Sequence, residues 1–98
     1  MAATLKGSIT TALRLSSAAA TALSDEIDRQ IISARAEMLR AGVTSTISAG
    51  DSAVVWNAII TYALMNLGQE DSYQRYYESW LFQLDNIRKS YKWEDNQS

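Results

Sequence analysis

The chain has no proline and only four glycines in 98 residues. This lack of interrupters constrains its fold more than any other feature. Proline costs about 3 kcal/mol in a helix interior and glycine about 1, both relative to alanine. A chain nearly free of both reads as long helices with few enforced breaks.

Four helical segments and no strand are expected. The first, about Thr4 to Arg14, puts Leu5, Ile9, Ala12 and Leu13 on one side at spacings of three and four. A small, polar connector, Leu15 to Leu23, follows, with room for a further turn of helix. The second helix takes Ser24 as N-cap, with Asp25, Glu26 and Asp28 at the positive end of its dipole. Ile27, Ile31, Ala34 and Met38 form its apolar stripe, and Gly42 ends it. A narrower ridge, Ile32 with Leu39, lies more than a quarter-turn from that stripe.

Val43 to Gly50 reads as a loop with Ile47 as a surface anchor. Asp51 or Ser52 caps the third helix, Ala53 to Leu67, which is apolar all round and therefore expected to be surrounded by others. It is too short for a membrane span of about 20 residues, and Asn57, Thr61 and Asn66 interrupt it. The fourth helix starts at Glu70 or Asp71. Tyr73, Tyr76, Tyr77, Trp80, Leu81, Leu84, Ile87 and Tyr91 occupy an arc of about 140°. Phe82 falls nearly opposite, among Arg75, Glu78 and Lys89. The expected fold is all-α: a small four-helix-type bundle with an apolar central helix over residues 1–91, and a polar C-terminal tail over 92–98. The expected core joins Trp56, Ile59, Tyr62, Ala63 and Leu67 to Ile27, Ile31, Met38, Tyr77, Trp80, Leu81 and Leu84.

The composition removes most chemistry. Without histidine or cysteine there is no Ser-His nucleophile, no thiolate and no His/Cys zinc site. The glycines, at 7, 42, 50 and 68, form no phosphate loop. The acids fall into helix-stabilising pairs, Asp25 with Arg29, Asp71 with Arg75 and Asp85 with Lys89, and not into an alternating calcium loop. No cofactor, metal or catalytic set is expected. The Ala-rich stretch Ala18 to Leu23 is cut off from what precedes it by Arg14, Ser16 and Ser17, and the segment lacks the apolar run of a cleaved signal. A net charge of −2 does not suit a dedicated nucleic-acid binder. The competing reading, a small helical nucleic-acid-binding or regulatory module, would rest on Arg35, Arg40, Arg88, Lys89 and Lys92. The aromatic surplus points elsewhere: Phe82 on a charged face and Trp93 in a polar tail suit burial against another chain.

Three stretches carry a family resemblance: Ser24 to Val43 (SDEIDRQIISARAEMLRAGV), Asp51 to Gly68 (DSAVVWNAIITYALMNLG) and Tyr76 to Leu84 (YYESWLFQL). In order and spacing the chain resembles the head–tail connector (head-completion or adaptor) proteins of tailed double-stranded-DNA bacteriophages, over about residues 5 to 91. The Ala12 to Leu15 segment also resembles their openings, whereas the Ala-rich Ser16 to Ala22 departs from many relatives. The resemblance implies a structural protein with no enzymatic activity and no cofactor. It implies a homo-oligomeric ring, twelvefold to match the portal protein, that extends the DNA channel and docks a tail or stopper protein. Genomic DNA would pass through without specific binding, and no membrane would be involved. The place implied is the virion head–tail interface, reached from the host cytoplasm. Subunit contacts are expected at Ile32, Leu39, Arg75, Phe82 and Lys89, and portal docking at Arg88, Tyr91, Lys92 and Trp93.

Overall fold

Short hydroxyl side chains start most of the helices. In the computed structural model, which describes residues 4–50 and 52–97 with side chains through Lys89, α1 (Leu5–Ala12) is capped by Thr4, whose Oγ1 accepts the Gly7 amide at 2.9 Å. The same device recurs at Ser16 for α2 (Ser17–Ala22), Thr44 for α4 (Ser45–Ser48) and Ser52 for α5 (Ala53–Leu67). Each cap satisfies one of the amides that a helix N-terminus leaves without an internal partner. Ser52 is thus the cap of α5. A 3-10 turn over Glu70–Ser72 leads into α6 (Tyr73–Gln97), which runs through the 91/92 position to residue 97.

The helix α3 (Ser24–Arg40) departs from this pattern, and Ser24 is not its cap. Leu23 occupies that position and makes no side-chain bond. It is also the C-cap of α2, so the two helices meet at one residue and no extended segment remains for a hydroxyl cap. Ser24 instead accepts a hydrogen bond from Lys6 at 2.6 Å, and Lys6 also pairs with Asp28 at 3.0 Å. This cluster ties α1 to the first turn of α3. Asp25 and Glu26 remain in that turn, where the helix dipole favours them.

The described residues are mostly helical and include no strand. Among them no helix is long and apolar enough to cross a membrane. The helix α5 packs against α1, α3 and α6, and α3 also meets α4. Leu5 and Ile9 from α1, Ile27, Ala34 and Met38 from α3, Val55, Ala58, Ile59 and Ala63 from α5, and Trp80 and Ile87 from α6 form one buried cluster. Trp56, Tyr62, Leu67, Ile31 and Leu84 pack around it, half-buried. Two expected core residues are not there: Tyr77 and Leu81 are exposed. The contact of α6 with α5 is rotated towards Gln83, which donates to Thr61 Oγ1 at 2.7 Å, while Trp80 meets Tyr62 edge-on at 4.9 Å between centroids. The main partner, α5, covers one line of α6 and not the whole arc.

The Val43–Gly50 segment is more ordered than its composition suggests. It contains α4, Val43 is buried, and Ile47 packs on the core. The half-buried Arg35 reaches from α3 and donates to the carbonyls of Ser48 at 2.7 Å and Gly50 at 3.0 Å. These carbonyls lie at the end of α4, so the guanidinium serves as its C-cap.

Candidate interaction surface

Among the described residues there is no group of acids placed to hold a metal and no buried side-chain nitrogen or oxygen without a partner. Two titrating groups among the described residues are perturbed. Burial, then the charge of Glu37, pushes the Tyr62 phenol up. Asp85 is held below the usual carboxylate range by its hydrogen bond from Lys89, at 2.8 Å. Neither lies beside a second perturbed group, which is the arrangement that marks acid–base machinery.

What the surface does carry is large apolar side chains. Ile32 is 67% exposed and Phe82 68%, and Leu39, Val54, Tyr73, Tyr77 and Leu81 are also exposed. Apart from Val54, in the first turn of α5, they fall into three sets. On α3, the buried line runs Ile27, Ala34, Met38. At about 100° per residue, Ile32 and Leu39 stand roughly 130° round from it. On α6, Tyr73, Tyr77 and Leu81 succeed one another at four-residue steps, and the first two rings stack with centroids 6.1 Å apart. They flank the buried line of Trp80 and Ile87. Phe82, Arg75 and Lys89 form the third set, about 150° from that line by the same rule.

The expected contact residues are therefore exposed: Ile32 and Leu39 on one helix, and Arg75, Phe82 and Lys89 along one face of another. Lys89 is paired with Asp85 as its spacing suggests. Arg75 is not paired with Asp71; its guanidinium lies over the Tyr76 ring, 5.2 Å from the centroid. Arg29 pairs with Glu26 rather than with Asp25. Of the expected docking residues, Arg88 is exposed and near Gly42. The side chains of Tyr91, Lys92 and Trp93 lie outside the described residues. Tyr73, Tyr77 and Leu81 form a surface stripe, of which Tyr77 and Leu81 were expected in the core.

The cations of the nucleic-acid reading are largely engaged. Arg35 caps α4, Arg40 pairs with Glu37 at 2.6 Å, and Lys89 holds Asp85. A phosphate-tracking groove needs unneutralised charge along one path, and these three residues do not supply it. No protein-family model matches the chain, and no curated protein or solved structure matches it either.

Proposed function

We propose that this chain is a structural subunit of the head–tail connector type in a tailed double-stranded-DNA phage. It would assemble as a ring under the portal that extends the DNA channel and presents a surface to a tail or stopper component. The observation that carries this reading is the exposure of large apolar side chains on two different helices: Ile32 with Leu39 on α3, and Phe82, between Arg75 and Lys89, on α6. A ring closes through a heterologous interface, in which each subunit offers two different patches to its two neighbours. Two such patches are available here, each bordered by charge. The sequence resemblance described above supplies the biological setting, and the acidic balance suits a channel that DNA must leave without adhering. In this reading the protein is not an enzyme and needs no cofactor, and its four longer helices form a four-helix-type bundle around α5.

Sedimentation of the full chain tests the proposal. A ring-forming species should be present at high protein concentration, and Phe82→Asp should abolish it while leaving the helical circular dichroism signal intact. Rings of normal size from Phe82→Asp would remove that face from the interface. A strictly monomeric wild-type chain, alone and with portal protein, would overturn the reading.

A further inference from the structure

Where α1 ends against the start of α6, the surface opens into a polar cleft of about 320 Å³ lined by Leu13, Arg14, Leu64, Gly68, Gln69, Ser72, Arg75 and Tyr76. Two of these residues are arginines from distant parts of the chain. Arg14 has no acidic partner among the described residues, and Arg75 touches the ring of Tyr76 and no acid. Four other cations are held by acids, Lys6 by Asp28, Arg29 by Glu26, Arg40 by Glu37 and Lys89 by Asp85, while Arg35 reaches the carbonyls of Ser48 and Gly50 and Arg88 stands exposed beside Gly42. The acids nearest in sequence, Glu70 and Asp71, do not line the cleft.

A second observation marks the same place. Among the described residues Arg14 is the non-glycine residue with positive φ, 58°, a conformation that costs an L-residue free energy. Strained backbone of this kind gathers at binding sites, and here it belongs to a cleft-lining cation. We infer that the cleft is a binding site for a small phosphate-bearing ligand. The donor set argues for phosphate over carboxylate. One guanidinium fork satisfies a planar carboxylate. Two forks from separate elements, with the Ser72 hydroxyl and the Gln69 amide beside them, match the several outward-pointing oxygens of a tetrahedral anion. The volume stands at the lower end of small-molecule sites, and the net negative charge of the chain disfavours a polynucleotide. The inference does not depend on the ring reading, because its readout is anion binding by the chain itself.

The test is a titration of the full chain with inorganic phosphate at constant ionic strength, following the arginine Nε–H signals by NMR. The signals of Arg14 and Arg75 should move together along one saturable curve. Arg75→Ala should weaken the apparent affinity about fivefold or more, the loss expected for one charge-assisted donor pair, and should quench the shift at Arg14. Arg14→Gly supplies the control for folding, since glycine accepts the left-handed position without strain; it should lose phosphate binding while remaining folded. Three results would overturn the inference. The two signals stay still, or Arg40 and Arg88 move as much as they do, or acetate at equal ionic strength binds as tightly. Affinity for single-stranded oligonucleotides that climbs with strand length would likewise replace the small-ligand site with a polynucleotide path.

Discussion

At the end of α3 the left-handed position is held by Gly42 at φ 105°; at the end of α1 it is held by Arg14 at φ 58°. The hydrogen bonds are the same in both places. Val43 N–H returns to the Met38 carbonyl at 3.0 Å and Gly42 N–H to Leu39 at 3.1 Å, just as Leu15 N–H returns to Thr10 at 3.2 Å and Arg14 N–H to Thr11 at 3.0 Å. Each pair satisfies two carbonyls that a helix C-terminus would otherwise leave open. The residues that close the motif differ. Met38 and Val43 are buried, whereas Thr10 and Leu15 are half-buried. One terminus is built into the core with the residue that fits it; the other is held near the surface against its residue's preference. Stability explains the first arrangement fully and leaves the arginine of the second to be explained by something else.

The largest effect should separate the two termini by burial. Met38→Ala removes a fully buried side chain and should cost about 2–5 kcal/mol, the range for such truncations. Thr10→Ala, the equivalent change in α1, should stay under about 1 kcal/mol, as expected for sites away from the core. Urea unfolding followed by circular dichroism measures both. Equal losses would mean that the α1 terminus is as deeply anchored as that of α3, and the contrast would fail.

Next in size is the left-handed position itself. Gly42→Ala places a Cβ at φ 105° and should destabilise by about 1–2 kcal/mol. The reason is backbone conformation and not crowding, because the nearest atom to that Cβ would be Arg88 Nε, 4.0 Å away. Arg14→Gly should act in the opposite direction. Relief of the same penalty, less the entropy that glycine loses on folding, should stabilise by about 0.5–1 kcal/mol. A destabilised Arg14→Gly would show that the arginine side chain earns its place by packing, and the strain argument would fall.

These two termini also mark what could be read from the residues alone. Gly42 announces the end of α3 because glycine is the residue the left-handed position favours. Nothing announces Arg14, since the motif that places it there consists of backbone bonds alone. The apolar runs located the longer helices, and the stripe of Ile27, Ala34 and Met38 faces the core as its spacing indicates. On α6 the same reasoning overreached. Tyr77 and Leu81 share the arc of Trp80, yet a wheel cannot tell which line the partner helix covers, and Gln83 bonding to Thr61 draws the contact to the other flank. Arg35 was hidden for a related reason: a cation that caps another segment's carbonyls has the same local sequence as one that faces water. Of the candidate surface, the exposed positions of Ile32, Leu39 and Phe82 were legible because each lies well off its helix's buried line. The Arg14–Arg75 cleft was not, since it joins residues far apart in the chain.

The smallest expected effect reports on whether the end of α3 stays docked. Tyr62 of α5 is pushed above the ordinary tyrosine value first by burial and then by the charge of Glu37, against which Asn66 and Arg40 act. Glu37 and Arg40 belong to the last turn of α3, so the phenol senses that turn directly. A raised folded-state value means that the native protein holds its proton more tightly than the unfolded chain does. The associated stability is therefore present in full below the unfolded value near pH 10, and is lost as the pH rises through the folded value. Phenolate absorbance of the wild type minus that of Tyr62→Phe isolates this one ring. Its midpoint should lie above the free-tyrosine value in the wild type and in Arg14→Gly, whose change is at the end of another helix. In Gly42→Ala, where the last turn of α3 loses its close, the midpoint should fall back towards the ordinary value. A midpoint that moves equally in both variants would mean that the two helix ends are coupled through α5, and that the difference between them does not survive in solution.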